Sequence, residues 1–437
     1  MKKVLFSILI ILILSILIFS YNYNSISKEQ NNYIYIINED KITCTITDYI
    51  GNEKNIIIPD KIGKFDVTAI GSNAFSQKQL TSIKIPDTAI NIGENAFSSN
   101  SLSGVVIPDR VNSIGKFAFN NNKLKNITLP NSVSKVEKYA FSNNELDSIT
   151  LSENITKIEA NTFACNKLTS IIIPDSTIII EESAFENNEL TAVTIPKKLQ
   201  AIGKSAFKDN KLASLELPDN LTKIEKYSFA FNGLTGIKIP DNVSIIEESA
   251  FRDNQLESIV LPKGEITIEA YAFNNNCITS VNEIDTNGLI YKINNDGTLD
   301  FSKIISYGGE SKNIDFIPSG VTTIGKYAFA NSNLLSITLP ESVIAIEEAA
   351  FEENNLTSAV FPKNIKKLGK LAFNSNKLSD VILPDSLTSI GFDAFIRNGN
   401  LNEIILPGEK GEKWIDKYGK THLSGDRVTI INNSYDK

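Results

Sequence analysis

Residues 202–220 read IGKSAFKDNKLASLELPDN, and residues 224–242 read IEKYSFAFNGLTGIKIPDN. The second stretch restates the apolar character of the first while nearly every surface letter changes. A repeat of this kind decides the fold before any other feature is weighed. Its phenylalanine falls at Phe75, Phe97, Phe119, Phe141, Phe163, Phe185, Phe207, Phe229, Phe251 and Phe273, each 22 residues after the last. The series resumes at Phe329, Phe351, Phe373 and Phe395 with the same spacing. Between Phe273 and Phe329 the gap is 56 residues, not a multiple of 22, so another element is inserted there.

One unit runs from Leu124 to Glu145, LKNITLPNSVSKVEKYAFSNNE. Ile127 and Leu129 alternate with Asn126 and Thr128, the period of a short strand, and Pro130 ends it by removing a ladder donor. Val133, Val136, Ala140 and Phe141 then recur at spacings of three and four. That spacing predicts a short helical or 3₁₀ turn on the opposite side of the coil. No single unit can bury its own apolar face, so each coil must stack on its neighbours, with strands about 4.8 Å apart in a parallel sheet. Apolar positions repeat because each sits on its copy in the next coil.

An Asn lies three residues past almost every Phe, failing only at Lys78 and Ser332. One copy per coil predicts a buried amide ladder that satisfies backbone groups at the bend, rather than a ligand row. The recurring I-P, I-[GE] and A-F, in register over about Ile56 to Leu406, closely resemble the BspA-like class of bacterial leucine-rich repeats. The resemblance implies a leucine-rich repeat solenoid with a parallel β-sheet on one face, short helical or 3₁₀ turns on the other, and β-hairpin caps. It also implies cell-surface adhesion, with extracellular matrix proteins or neighbouring cells as partners. The family often carries Cys where this chain has the Asn, which implies a different hydrogen-bonding filler on the same fold.

Two lead-ins are alike. YIINEDKITCTITDYIGNEKNIIIPDKI from Tyr35 and YKINNDGTLDFSKIISYGGESKNIDFIPSGV from Tyr291 each place a strand, a turn rich in Asn, Asp or Gly, a second strand and a polar stretch before I-P. Open solenoid ends need covers. The expected organisation is therefore a signal peptide or N-terminal anchor over 1–27 and a hairpin cap over 28–55. A first array of about ten coils follows over 56–281, then an inserted hairpin over 282–313. A second array of about four coils over 314–406 leads to a C-terminal cap and tail over 407–437.

The N-terminus, MKKVLFSILIILILSILIFS, has two lysines and an uncharged apolar run from Val4 to Phe19. It reads as an export signal and leaves cleavage after Ser20 and retention as an anchor both open. That segment is the only expected membrane contact. A net charge of −8 and a pI near 5.1 disfavour nucleic acid as a partner.

Raw material for catalysis is poor. The one histidine is His422, in the tail, and there is no G-x-S-x-G, H-E-x-x-H, P-loop or dinucleotide fingerprint. No enzyme activity, cofactor or metal site is expected. Cys44, Cys165 and Cys277 lack a C-x-x-C and fall in separate coils, which predicts free and mostly buried thiols. Glu181–Glu182, Glu247–Glu248 and Glu347–Glu348 read as solvated residues near a helical start, without the oxygen cage that calcium needs.

What remains is the outward row of the sheet. It comprises Lys84, Val106, Thr128, Thr150, Ile172, Thr194, Glu216, Lys238 and Val260, then Thr338, Val360, Ile382 and Ile405. Ser148, Ser170, Ser214 and Ser258 run beside it. The row has no aromatic platform for glycans. It is either the plain surface of a solenoid sheet or a protein-binding strip, with Val360, Ile382 and Ile405 its most apolar run. The reading is an exported, non-enzymatic scaffold that binds proteins, with a structural, envelope-organising scaffold as the alternative.

Overall fold

A computed structural model describes residues 28–407 and 429–433. The chain divides between Leu190 and Thr191 into two compact units. Each is a parallel β-solenoid whose coils repeat the 22-residue unit.

In the first unit, the I-x-I segments pair in register. Asn55–Ile57 lies against Ser82–Lys84, and Asn126–Thr128 against Ser148–Thr150, with Ile127 opposite Ile149. Ile127 and Leu129 are buried while Asn126 and Thr128 face solvent, as the alternation requires. On the other side, Asn91–Ile92, Ser113–Ile114 and Lys135–Val136 form a second parallel ladder.

That second ladder corrects the expectation of helical turns. No helix occurs among the described residues. The cause is a pair of left-handed residues in each coil, two before and two after the Phe. Phe117 (φ 56°) and Asn121 (φ 57°) flank Phe119, and Tyr139 (φ 61°) and Asn143 (φ 56°) flank Phe141. A left-handed residue cannot continue a right-handed helix. The chain instead makes two consecutive β-turns, closed by Ala118 N–H to Gly115 O and Asn120 N–H to Phe117 O. The Phe119 amide donates to Ala140 O in the next coil, so even the turns are laced from coil to coil. Val133, Val136, Ala140 and Phe141 are all buried, so their spacing marked an inward face correctly while the backbone that produces it is not helical.

The core is a file of phenylalanines. Phe97, Phe119, Phe141, Phe163 and Phe185 stack with centroids 5.2, 5.3, 5.8 and 5.6 Å apart. In the second unit Phe207 to Phe273 form one file at 5.5–5.9 Å, and Phe329 to Phe395 another at 5.0–5.7 Å.

Beside each file runs the Asn ladder. Asn144 Nδ2 donates to Phe119 O (2.9 Å) and Phe141 O (3.1 Å), while its Oδ1 accepts the Leu124 amide (3.1 Å). Asn100, Asn166, Asn254, Asn354 and Asn398 repeat the pattern. These side chains satisfy carbonyls that the left-handed turns leave without backbone partners.

Two hairpins start the ladders. Tyr33–Ile37 pairs antiparallel with Thr43–Tyr49, which pairs parallel with Phe65–Ile70. In the second unit, Leu289–Ile293 pairs antiparallel with Leu299–Tyr307, which pairs parallel with Thr323–Ile324. Each hairpin ends on a tyrosine that takes the Phe place. Tyr49 stacks on Phe75 at 5.5 Å, and Tyr307 packs on Phe329 at 5.3 Å. The expected signal peptide or anchor (1–27) and most of the expected C-terminal cap, with Trp414 and His422, lie outside the described residues. The strand Thr429–Asn433 pairs parallel with Glu403–Pro407.

Candidate functional site

The outward row is set by strand alternation. In Ser82–Lys84 and Ser170–Ile172, the middle residue is buried and its neighbours face solvent. Lys84, Thr128, Thr150 and Ile172 are exposed on paired strands of the first unit, as are Lys238, Val260 and Ile382 in the second; Thr194 and Thr338 are also exposed. Val106, Glu216 and Val360 are exposed too, but lie in extended stretches that are not paired as strands. Ile405 is half-buried, on a strand flanked on both sides by Asp380–Ile382 and Thr429–Asn433.

The row is apolar at separated points rather than throughout. Exposure reaches 82% at Val106, 73% at Ile172, 76% at Val360 and 64% at Ile382. The structure adds Ile57, 73% exposed and directly opposite Lys84 in the ladder. Sequence reading missed it, although the NIIIP at Asn55–Pro59 carries the same I-x-I-P pattern. In the first unit Thr128 faces Thr150, in the second Lys238 faces Val260 and Ile382 faces Ile405, so neighbours in the row are one strand spacing apart. Charge on the row is sparse, and Lys84 is engaged by Asp87 at 3.5 Å. Each unit presents isolated aliphatic side chains and threonines, most of them on paired strands. It can contact another surface.

The glutamate pairs do a different task from the one expected, because no helix begins there. Glu181 holds Lys157 at 2.8 Å in the preceding coil, Glu248 holds Lys226 at 2.6 Å, and Glu347 and Glu348 hold Lys303 and Lys326 at 2.6 and 2.9 Å. They are coil-to-coil ion pairs on the second ladder.

The cysteines also need correction. All three are free, but only Cys44 is fully buried; Cys277 is half-buried and Cys165 exposed. Cys165 takes a left-handed position (φ 57°) on the outer turn, and that points it away from the core. Burial, with Asp66 nearby, pushes the Cys44 thiol up to about 11. Burial and the Glu310 carboxylate, 3.0 Å away, do the same at Cys277. Neither is a reactive thiolate at neutral pH. Among the described residues no group of three or more His, Cys, Asp or Glu is placed to hold a metal ion.

Against known proteins, the model for the BspA type Leucine rich repeat region matches residues 68–191, 178–296 and 307–414. No curated protein matches the chain. Among solved structures, a leucine-rich repeat protein from Bacteroides ovatus is 24% identical, covering 93% of this chain and 99% of its own, with a TM-score of 0.49. A leucine rich cell surface protein from Faecalibacterium prausnitzii is 24% identical, covering 94% and 95%, with a TM-score of 0.38. The pneumococcal vaccine antigen PcpA is 17% identical, covering 94% and 89%, with a TM-score of 0.32. With its repeat motif matched over most of its length, this chain belongs to the BspA-type leucine-rich repeat family.

Proposed function

We propose that the protein is exported through its N-terminal apolar segment and uses the outward row of its sheet to bind other proteins, as a surface adhesin toward matrix or neighbouring-cell proteins. The observation that carries this reading is the exposure of Ile57, Val106, Ile172, Val360 and Ile382 on a scaffold whose inward aliphatic and aromatic positions are packed. Isolated exposed aliphatics are ordinary on a protein surface. In each unit, exposed aliphatics on paired strands, Ile57 and Ile172 in the first and Ile382 in the second, supply anchors whose backbone is already ordered, so little entropy is lost on contact. The scaffold acts by contact and not by catalysis.

The test is binding of the full chain to a panel of matrix, serum and cell-surface proteins, with Ile172→Lys, Val360→Lys and Ile382→Lys as variants. Saturable capture that each variant weakens by about tenfold, as loss of an interface anchor does, supports the reading. Capture of nothing beyond further copies of the chain turns it toward a structural scaffold.

A further inference from the structure

The second ladder of the second unit is interrupted. Lys223–Ile224, Ile245–Ile246 and Thr267–Ile268 pair in series, and a new series starts with Leu299–Tyr307 and Thr323–Ile324. The last rung of the first series is not paired with the first rung of the second. Where the inserted hairpin breaks the 22-residue period, a cleft of about 630 Å³ opens. That is the size of a small-ligand site.

Two tyrosines face each other in this cleft. Tyr271 and Tyr327 have ring centroids 6.1 Å apart and planes tilted by 52°. Both occupy the left-handed position two before a Phe, with φ of 62° and 56°. Phe117, Tyr139 and Tyr227 hold the same place in other coils, and Asn or Ser holds it at Asn95, Asn161, Ser183, Ser205 and Ser249. The cleft's charged side chains are four carboxylates and two ammonium groups. The ammonium groups are occupied: Lys303 by Glu347 at 2.6 Å and Lys326 by Glu348 at 2.9 Å. Glu248 is likewise held by Lys226. Glu269 and Glu352 have no ion pair among the described residues. Glu269 accepts the Glu248 amide at 3.1 Å, and Glu352 accepts one hydrogen bond, from Asn374 Nδ2 at 2.6 Å.

We propose that this cleft is a binding site for a cationic group, an ammonium or guanidinium carried on a flexible chain. Tyr271 would receive it on its ring, and Glu352 and Glu269 would neutralise it. The protein already shows the contact in miniature, since Lys326 Nζ lies 5.1 Å from the Tyr327 ring centroid. An anion would meet unpaired carboxylates, and an apolar ligand would strip water from them without return. Lys326 already lies over the Tyr327 ring, so a ligand cation supplies what the Tyr271 ring and the Glu269 and Glu352 carboxylates lack. Burial holds the Glu352 carboxyl above its ordinary range, against the Asn374 hydrogen bond and the Arg397 charge, which pull it down. This site is separate from the sheet row and does not depend on the adhesion reading.

The experiment is calorimetric titration of the full chain with agmatine, with the peptide Gly-Gly-Arg-Gly-Gly, and with the same peptide carrying uncharged citrulline for arginine. The expected result is saturable binding of a guanidinium probe, at least about tenfold weaker for citrulline, as loss of a charge-assisted pair requires. Glu352→Gln and Tyr271→Ser each weaken it about tenfold. Ser is the residue the preceding coil uses at the Tyr271 position, and Glu352→Gln keeps the oxygen that Asn374 donates to, so both variants fold. Ile172→Lys leaves it unchanged. Binding of agmatine indicates a free amine as the source, and binding of the peptide alone a partner's side chain. No saturable binding of either probe up to about 10 mM, equal binding of citrulline, or indifference to both cleft substitutions overturns the proposal.

Discussion

Asn144 shows how much of the solenoid rests on one amide. Its contacts join two coils, linking Phe119 O of the preceding coil to Phe141 O and the Leu124 amide of its own. Replacing it with Ala strands buried backbone groups at the bend, and we expect a loss of about 2–4 kcal/mol by urea unfolding. Asn144→Asp, which keeps the acceptor and loses both donors, should cost at least as much; a loss under about 0.5 kcal/mol for either would remove the ladder from the account. The two coils without this Asn, with Lys78 and Ser332 in its place, are the first after each hairpin, and nothing in the structure explains the exchange.

Glu352 gives a second residue-level prediction. Its folded pKa is raised above the ordinary value by burial. Between the ordinary and the raised pKa the folded state binds more protons than the unfolded one, so stability falls as pH rises through that window. Above it the penalty is fully present. Glu352→Gln should therefore raise the melting temperature at pH 7. The gain should vanish below the ordinary carboxylate range, and a variant that is destabilised at pH 7 and unchanged in acid would contradict the assignment.

At the scale of elements, the strands were legible and the turns were not. Alternation around Ile127 and Leu129 specifies a strand because only period two buries both. Spacings of three and four around Val136, Ala140 and Phe141 suit a helix equally well, and the deciding left-handed residues are hidden because bulky Phe117 and Tyr139 occupy two of them. The tyrosines that start each Phe file carry a signal that sequence reading passed over, a Tyr-x-Gly at Tyr49–Gly51 and again at Tyr307–Gly309. A methyl group at Gly51 would sit 2.2 Å from Tyr49 Oη, and one at Gly309 2.8 Å from Tyr307 Oη. Gly51→Ala and Gly309→Ala should each displace the ring over its file, changing the near-UV circular dichroism and costing about 1–3 kcal/mol. Phe141→Ala, in mid-file, should cost about 3–5 kcal/mol.

For the molecule as a whole, the period of 22 specified the stacking, because each coil can be satisfied only by its copies. The outward row was legible for the same reason, position by position, with Ile57 the omission and Ile405 the half-covered end. The cleft was not legible: it arises from the unpaired rungs left by the inserted hairpin, and no local pattern announces a gap between strands. If the sheet row is the working surface, its charge substitutions should separate binding from folding, since exposed positions on a packed ladder change stability by within about 0.5 kcal/mol.

The most direct measurement is the affinity of the full chain for the protein it captures, compared with that of Ile172→Lys, Val360→Lys and Ile382→Lys, alongside their melting temperatures. The account predicts weakened binding with unchanged melting. Undiminished binding by all three would place the contact elsewhere on the molecule.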